Sequence, residues 1–333
     1  MRILIVGGTA FVGRHIAQAA LDAGHEVTLF HRGQTGADLF PQATHLFGDR
    51  NRDLSPLAGL RFDATIDVSG FFPRQVRSLA AALDGRGGRH VFISSMSVYT
   101  DSVPRYYDET APLAEISDPD ATEITVQNYG GLKVACERAS TELFGPDTTI
   151  IRPTYVIGPH DPSCRFNYWV GRLATGGTVL APGDPDDPIQ VIDARDQASW
   201  IVSLLERSIT GTFHSPSPPP PFGFGQLLAE ISAEVAPDGT ELVWVDSEFL
   251  VAHEVDGDAL PLWAEGDDAG LNLNTGNPAA AFAAGLTPRP LRQTVAEIWA
   301  ADPVLTWPGR LTPDREEKLL AQWAAHGGFR TQL

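Results

Sequence analysis

Cysteine is scarce. The 333 residues contain only Cys136 and Cys164, and neither sits in a C-x-x-C pair, which excludes a disulfide scaffold and a paired-thiol redox or zinc motif. The nine histidines show no zinc-ligand spacing either, so no metal is expected. Positive charge is also in short supply: 24 Lys and Arg against 42 Asp and Glu give a formal net charge of −18. Nucleic-acid affinity rests on cations displacing counterions from phosphates, so nucleic acid is not an expected partner. No apolar run approaches the roughly 18 residues needed to cross a bilayer, and no membrane partner is expected. The first apolar run, residues 3–6, ends at a glycine pair and is too short for a signal-peptide core; a cytoplasmic location is the expectation. A chain of this length buries about three quarters of its extended surface, enough for one large domain or two unequal ones.

What is present is an alternation. Residues 3–6 are apolar and mostly β-branched, a glycine-rich turn follows, and apolar residues then recur at helical spacing up to Gly24. Further strands are predicted at 26–30, 44–47, 63–68, 90–94 and 148–152, with helices at 73–83 and 128–144. Strands apolar along their whole length alternating with helices indicate a parallel sheet covered on both faces. After Arg152 prolines interrupt the pattern. A strand over 189–192 is expected to return to the sheet, followed by a helix over 194–205 and a short strand over 211–214. The tract SPSPPPPFGFG reads as a stiff connector. The prediction is an α/β doubly wound parallel sheet of Rossmann type over 1–153 and about 187–214, with a smaller, mostly C-terminal substrate-binding region over about 154–186 and 215–333.

The turn Gly7-Gly8-Thr9-Ala10-Phe11-Val12-Gly13 lies between a predicted strand and helix, the context of a dinucleotide-binding loop. Gly7 would permit the tight turn, Gly8 a close approach to pyrophosphate and Gly13 close packing of helix on strand, while the helix N-terminus supplies amide donors. At the end of the second strand stand His31 and Arg32, with no carboxylate to accept from a ribose 2′-hydroxyl. A guanidinium suits a 2′-phosphate, so NADP is favoured over NAD as cofactor. Asp49, in FGDRNRD, fits either a contact to the adenine amino group or an ordinary turn.

Ser94 and Ser95 end one strand, and Tyr129-Gly-Gly-Leu-Lys133 opens a helix on which Tyr129 and Lys133 share a face. Bringing a phenol from a pKa near 10 to ~7 takes roughly 4 kcal/mol of differential stabilisation. The Lys133 ammonium and an oxidised nicotinamide are suitable sources. Two glycines inside a helix cost up to ~1 kcal/mol each relative to alanine, which suits a close backbone approach to a ligand or a helix just beginning. Phe166, Tyr168 and Trp169 fit either a substrate pocket or the core, and His160-Asp161 either a site rim or a turn.

The ordered motifs GGTAFVG, VFISSMSVY, YGGLK, IIRPTYVIGPHD and VIDARDQA resemble those of the extended and atypical short-chain dehydrogenase/reductases, the NAD-dependent epimerase/dehydratase group. The likeness covers about 215 residues, and NTGNPAAAFAAGLTPRPLRQT is similar to the end of such proteins. The resemblance implies that Tyr129 is the catalytic acid/base, that Lys133 lowers its pKa and binds the nicotinamide ribose, and that Ser95 orients the reacting oxygen. It further implies cofactor contacts from Thr9, Phe11 and Val12, from Gly70 and Phe71 near the phosphates, and from Pro153 and Val156 near the nicotinamide. A small-molecule substrate undergoing hydride transfer at a ketone or secondary alcohol is implied, with an epimerase or dehydratase as the alternative and a homodimer as the assembly. The FHRG stretch also resembles chloroplast stem-loop RNA-binding relatives, which keeps a non-catalytic binding protein as a competing reading. Ala10 replaces the family's middle glycine, and Tyr155 stands where sugar-nucleotide epimerases carry asparagine, which speaks against a nucleotide-sugar substrate.

Overall fold

Ile3, Leu4, Ile5 and Val6 are all buried because the strand they form is covered on both faces. Ile3 and Ile5 join a cluster with Ile16, Ala20, Trp200 and Ile201, while Leu4 and Val6 join one with Phe30, Leu79 and Leu83. Each such side chain removed from water contributes roughly 1.5–3 kcal/mol. The structure is a computed structural model and describes residues 1–116, 118, 120–301 and 309–327.

In chain order the elements are β1 (Arg2–Val6), α1 (Phe11–Asp22), β2 (Glu26–His31), β3 (Thr44–Phe47), β4 (Ala64–Asp67), α2 (Pro73–Leu83), β5 (Arg89–Ile93), α3 (Val126–Phe144), β6 (Thr149–Pro153), β7 (Tyr155–Ile157), α4 (Arg165–Thr175), β8 (Thr178–Pro182), β9 (Val191–Asp193), α5 (Ala194–Arg207) and β10 (Gly211–Ser215). They continue with α6 (Phe224–Val235), β11 (Glu241–Val245), α7 (Ser247–Ala252), α8 (Asp268–Leu273), α9 (Ala279–Ala283), α10 (Leu291–Ala301) and α11 (Pro313–Ala325). Seven strands form one parallel sheet in the order β10-β6-β5-β4-β1-β2-β3. Strand order reverses between β1 and β4, so the loops leaving their C-terminal ends splay apart and open a crevice there, the usual place for a ligand in such sheets.

Packing divides the chain into two units, one of residues 1–156, 192–217 and 276–288, the other of 157–191, 218–275 and 289–333. The proline tract carries the chain from the first unit into the second, and residues 276–288, which the sequence reading put in the C-terminal region, belong to the first. In that unit α1 packs on α5, and α2 on α3. In the second unit α4, α6 and α10 pack together, and β8 pairs in parallel with β11. Trp169 and Phe166 are fully buried there, and the indole N–H of Trp169 donates to the Pro261 carbonyl at 2.7 Å; both are core residues.

One expectation is corrected. The strand expected over 189–192 forms at Val191–Asp193 and is not one of the seven. The place beside β6 is taken by β10, paired from Gly211 with Thr149 to Ser215 with Pro153. Among the described residues no helix is long and apolar enough to cross a membrane.

Candidate active site and cofactor cleft

The glycine turn has the tight geometry its sequence calls for. Gly7 has φ +91°, and a Cβ there would lie 2.9 Å from Ser69, in the loop after β4. A Cβ on Gly13 would come within 2.0 Å of the Gly7 carbonyl oxygen, so α1 packs on the turn as closely as a backbone allows. Gly8 answers to a different constraint: its Cβ would meet Leu29 at 2.6 Å and Ile5 at 3.2 Å, so the sheet core requires this glycine. Helix α1 starts at Ala10 without a side-chain cap and without an acidic residue in its first turn. Its first amides and partial positive charge therefore suit an anion. A tight glycine turn and an uncapped helix start beside it fit the phosphates of a dinucleotide.

Beside the turn lies a cavity of about 300 Å³, lined by Gly7, Thr9, Ala10, His31, Arg32, Asp49, Arg50, Ser69, Phe71 and Gln75 among others. Of the residues expected to touch cofactor, Gly7, Thr9, Arg32, Asp49 and Phe71 line it. Gly8, Phe11, Val12, Gly13, Gly70, Tyr129, Lys133, Pro153 and Val156 do not. Asp49 accepts from the Asn51 amide at 2.9 Å, which with nearby Arg52 and Arg32 holds its carboxyl below the usual range.

Lys133 is buried on α3. Its ammonium donates to the main-chain oxygens of Gly70 at 2.9 Å and Ile93 at 2.8 Å, tying the ends of β4 and β5 together, and lies 4.9 Å from the ring centres of both Phe71 and Phe92. Burial pushes its pKa down to about 8 against the opposing pull of Cys136, Asp67 and Glu137. Tyr129 lies one turn earlier, half-buried. The two glycines between them have a structural cause. A Cβ on Gly130 would stand 2.1 Å from the Ser97 carbonyl oxygen and one on Gly131 2.4 Å from that of Glu115. The close approach is to the protein's own main chain, and it seats the start of α3 on the turn that begins at Ser95. There the Ser95 hydroxyl accepts from the Ser97 amide and donates to the Ser97 hydroxyl, both at 3.1 Å.

Below this surface runs a buried polar chain. Glu137, one turn beyond Lys133, accepts from the Ser94 hydroxyl at 2.5 Å and from Arg152 at 3.0 and 2.7 Å. Arg152 also donates to the Tyr99 hydroxyl at 2.6 Å, Tyr99 donates to His214 Nε2, and His214 Nδ1 donates to the Asn277 carbonyl at 3.1 Å. Burial and nearby Arg152 push the His214 pKa down to about 4, so the ring is neutral and its tautomer fixed.

A model of the NAD dependent epimerase/dehydratase family matches residues 3–55 and 73–213, more than half of the chain, including the glycine turn, the Ser95 turn and α3. The chain belongs to the NAD-dependent epimerase/dehydratase family. Two curated relatives bracket it. The chloroplast stem-loop binding protein of 41 kDa b of Arabidopsis thaliana is 28% identical over 220 residues, 61% of this chain but only 55% of that protein. A bifunctional pinoresinol-lariciresinol reductase of Linum corymbulosum is 40% identical over 243 residues, 65% of this chain and 69% of the relative. Among solved structures, the Bordetella bronchiseptica enzyme WbmH in complex with NAD+ aligns with TM-score 0.67 at 18% identity over 90% of this chain and 97% of that one. The UDP-glucuronic acid 4-epimerase of Bacillus cereus in complex with NAD aligns with TM-score 0.63 at 16% identity over 90% and 98%. These alignments show the family's fold.

Within this family member, several cavity residues escaped the sequence reading. Arg50 makes a two-pronged contact to buried Asp67, at 2.6 and 2.8 Å, and reaches Ser69 at 3.0 Å. Burial acts to raise the Asp67 pKa, but the charge and hydrogen bonds of Arg50, with His90 and Lys133 nearby, together outweigh it and hold the carboxyl below its ordinary range. Gln75 accepts from the Phe71 and Phe72 amides and donates to Asn51 at 2.8 Å, fastening the Phe71 loop to the Asp49 turn. The only sequence signal was the polar run around Asp49; the partners on β4 and α2 are set by the sheet.

Proposed function

We propose that this chain is an NADP(H)-using oxidoreductase that reduces a ketone, or oxidises a secondary alcohol, on a small or medium organic molecule. The observation that carries the reading is the seating of Tyr129 and Lys133 against the Ser95 turn, with Lys133 reaching the rim of the cleft at Phe71. When bound, nicotinamide supplies or accepts a hydride. Tyr129 gives a proton to the substrate oxygen or takes it back, and Ser95 holds that oxygen by a hydrogen bond. Lys133 spends two of its three donors on Gly70 and Ile93; in this reading the third serves the bound cofactor, and its positive charge favours the Tyr129 phenolate. Arg32, at the cavity with no carboxylate in its place, supports NADP(H). The reductase names among the curated relatives support reduction over epimerisation.

The test is a fluorescence titration with NADPH and NADH on the wild-type protein and on Arg32→Ala. NADPH should bind at least about tenfold tighter, and Arg32→Ala should remove that preference while leaving NADH binding in place. Equal affinities, or equal losses, would overturn the choice of cofactor. A cofactor that co-purifies with the protein would favour epimerase or dehydratase chemistry. Stem-loop binding, suggested by the name of the Arabidopsis relative, would show as a steep salt dependence in an RNA titration; the charge of −18 opposes it.

A further inference from the structure

The corner that carries Arg32 is built around a pair of imidazoles. His31, the last residue of β2 and 6% exposed, receives the Gly33 amide on Nδ1 at 3.1 Å. Its Nε2 lies 2.9 Å from Nδ1 of His45 on β3, and His45 Nε2 lies 3.3 Å from the Phe40 carbonyl oxygen. These contacts fix every proton. An amide can only donate, so His31 Nδ1 accepts, and the ring proton is on Nε2. His45 Nδ1 therefore accepts in turn, and its own proton faces a carbonyl that can only accept. The result is one unbroken run, from the Gly33 amide through two neutral rings to Phe40. Ring contacts close it from the side, with Phe47 at 5.0 Å from His31, and Gly33 turns at φ +72° where a Cβ would meet the same phenyl ring at 3.1 Å.

An amide two residues ahead bonded to a side-chain acceptor is the geometry that Asn and Asp make in Asx-turns. Here an imidazole performs it, and Arg32 is the residue enclosed by the turn. Arg32 is itself exposed and would lose side-chain and loop freedom on gripping an anion; a corner fixed beforehand lowers that cost.

We propose that His31 is a positioning residue for cofactor choice: braced by His45, it folds the 31–33 corner so that Arg32 is presented to the 2′-phosphate of NADP(H). This rests on the NADP(H) reading above. It divides the selectivity between two residues, Arg32 that grips the phosphate and His31 that acts through the corner holding Arg32.

The probes are NADPH and NADH, titrated by fluorescence against wild type, Arg32→Ala, His31→Asn and His31→Leu. His31→Asn, whose carboxamide oxygen can accept the Gly33 amide, should keep the NADPH/NADH affinity ratio within about threefold. His31→Leu should weaken NADPH roughly tenfold more than it weakens NADH, a split that general damage to the fold would not produce. If His31→Leu fails to fold because His45 is left unpaired, the double variant His31→Leu/His45→Leu leaves no imidazole stranded and should show the same selective loss. A leucine variant that keeps the wild-type ratio, or loses both cofactors alike, overturns the role of His31. If Arg32→Ala alone loses the preference, the NADP(H) reading stands without this proposal. If Arg32→Ala loses none, both fall.

Discussion

At the scale of single residues, the site depends on a lysine kept where a lysine is costly. Lys133 is 2% exposed, and its compensation is two main-chain carbonyls rather than a carboxylate in contact. Replacing it with methionine fills the space but strands the Gly70 and Ile93 oxygens, each at roughly 1–3 kcal/mol if no partner replaces it, and frees the loop that carries Phe71. Lys133→Met should therefore lower the denaturant midpoint and weaken cofactor binding together. Tyr129→Phe removes only a hydroxyl near the start of α3. It should bind cofactor as wild type does while losing at least about a hundredfold in kcat on any carbonyl substrate the wild type reduces. Turnover within a few fold of wild type would remove Tyr129 from the proton-transfer role.

At the scale of elements, α3 is fastened to β5 and β6 by the carboxylate of Glu137. Glu137→Gln leaves Arg152 buried without a counter-charge, and a cost of about 3–5 kcal/mol is expected. Glu137→Leu/Arg152→Met removes both charges and should fall within about 1 kcal/mol of wild type or exceed it; urea titrations of the three proteins compare them directly. A double variant as unstable as the single one would mean that the Tyr99 and Ser94 contacts, not the charge pair, hold the helix. Elements of this kind divide by what can be read ahead of the fold. β1, its glycine turn and α1 were legible because period, turn chemistry and length agree within 22 residues. The shared face of Tyr129 and Lys133 was legible because four positions along one helix fix it; the roles expected of them and of Ser95 come from the family resemblance, not from spacing. The partners of Glu137 and Arg50 were not, since both pairs join residues on different elements brought together only by strand order, 15 and 17 positions apart. Gly130 and Gly131 stand out in the sequence as costly in a helix, but that rule cannot say that their neighbours are the Ser97 and Glu115 carbonyls. The strand expected over 189–192 failed as a member of the sheet because a sheet edge has one occupant, and β10 was the competitor.

At the scale of the whole molecule, two buried histidines tie stability to pH. His90 is buried with neither ring nitrogen bonded among the described residues, and its ring stacks on Phe144 at 3.7 Å. Burial, helped by nearby Arg50 and opposed by Asp67, pushes its pKa from 6.5 down to about 4, as it does for His214. The folded state thus refuses protons that the unfolded chain accepts. Their contribution is present above pH 6.5 and drains as pH falls toward 4, at up to about 1.4 kcal/mol per pH unit for each ring. His90→Phe keeps the stack on Phe144 and abolishes one titration, so unfolding free energies at pH 7, 6 and 5 should fall less steeply for the variant than for wild type; equal slopes would show that His90 does not titrate on unfolding. The scarcity of lysine gives the buried ammonium another consequence. The sequence holds only Lys133 and Lys318, the latter exposed on α11. Apart from the chain's own α-amine, an amine-reactive mass tag has one target on the surface and one in the interior, so the slow second addition is a clock for openings of the β4 and β5 loops. Any ligand that holds those loops shut slows it, and a binding event can be timed without knowing what the protein turns over.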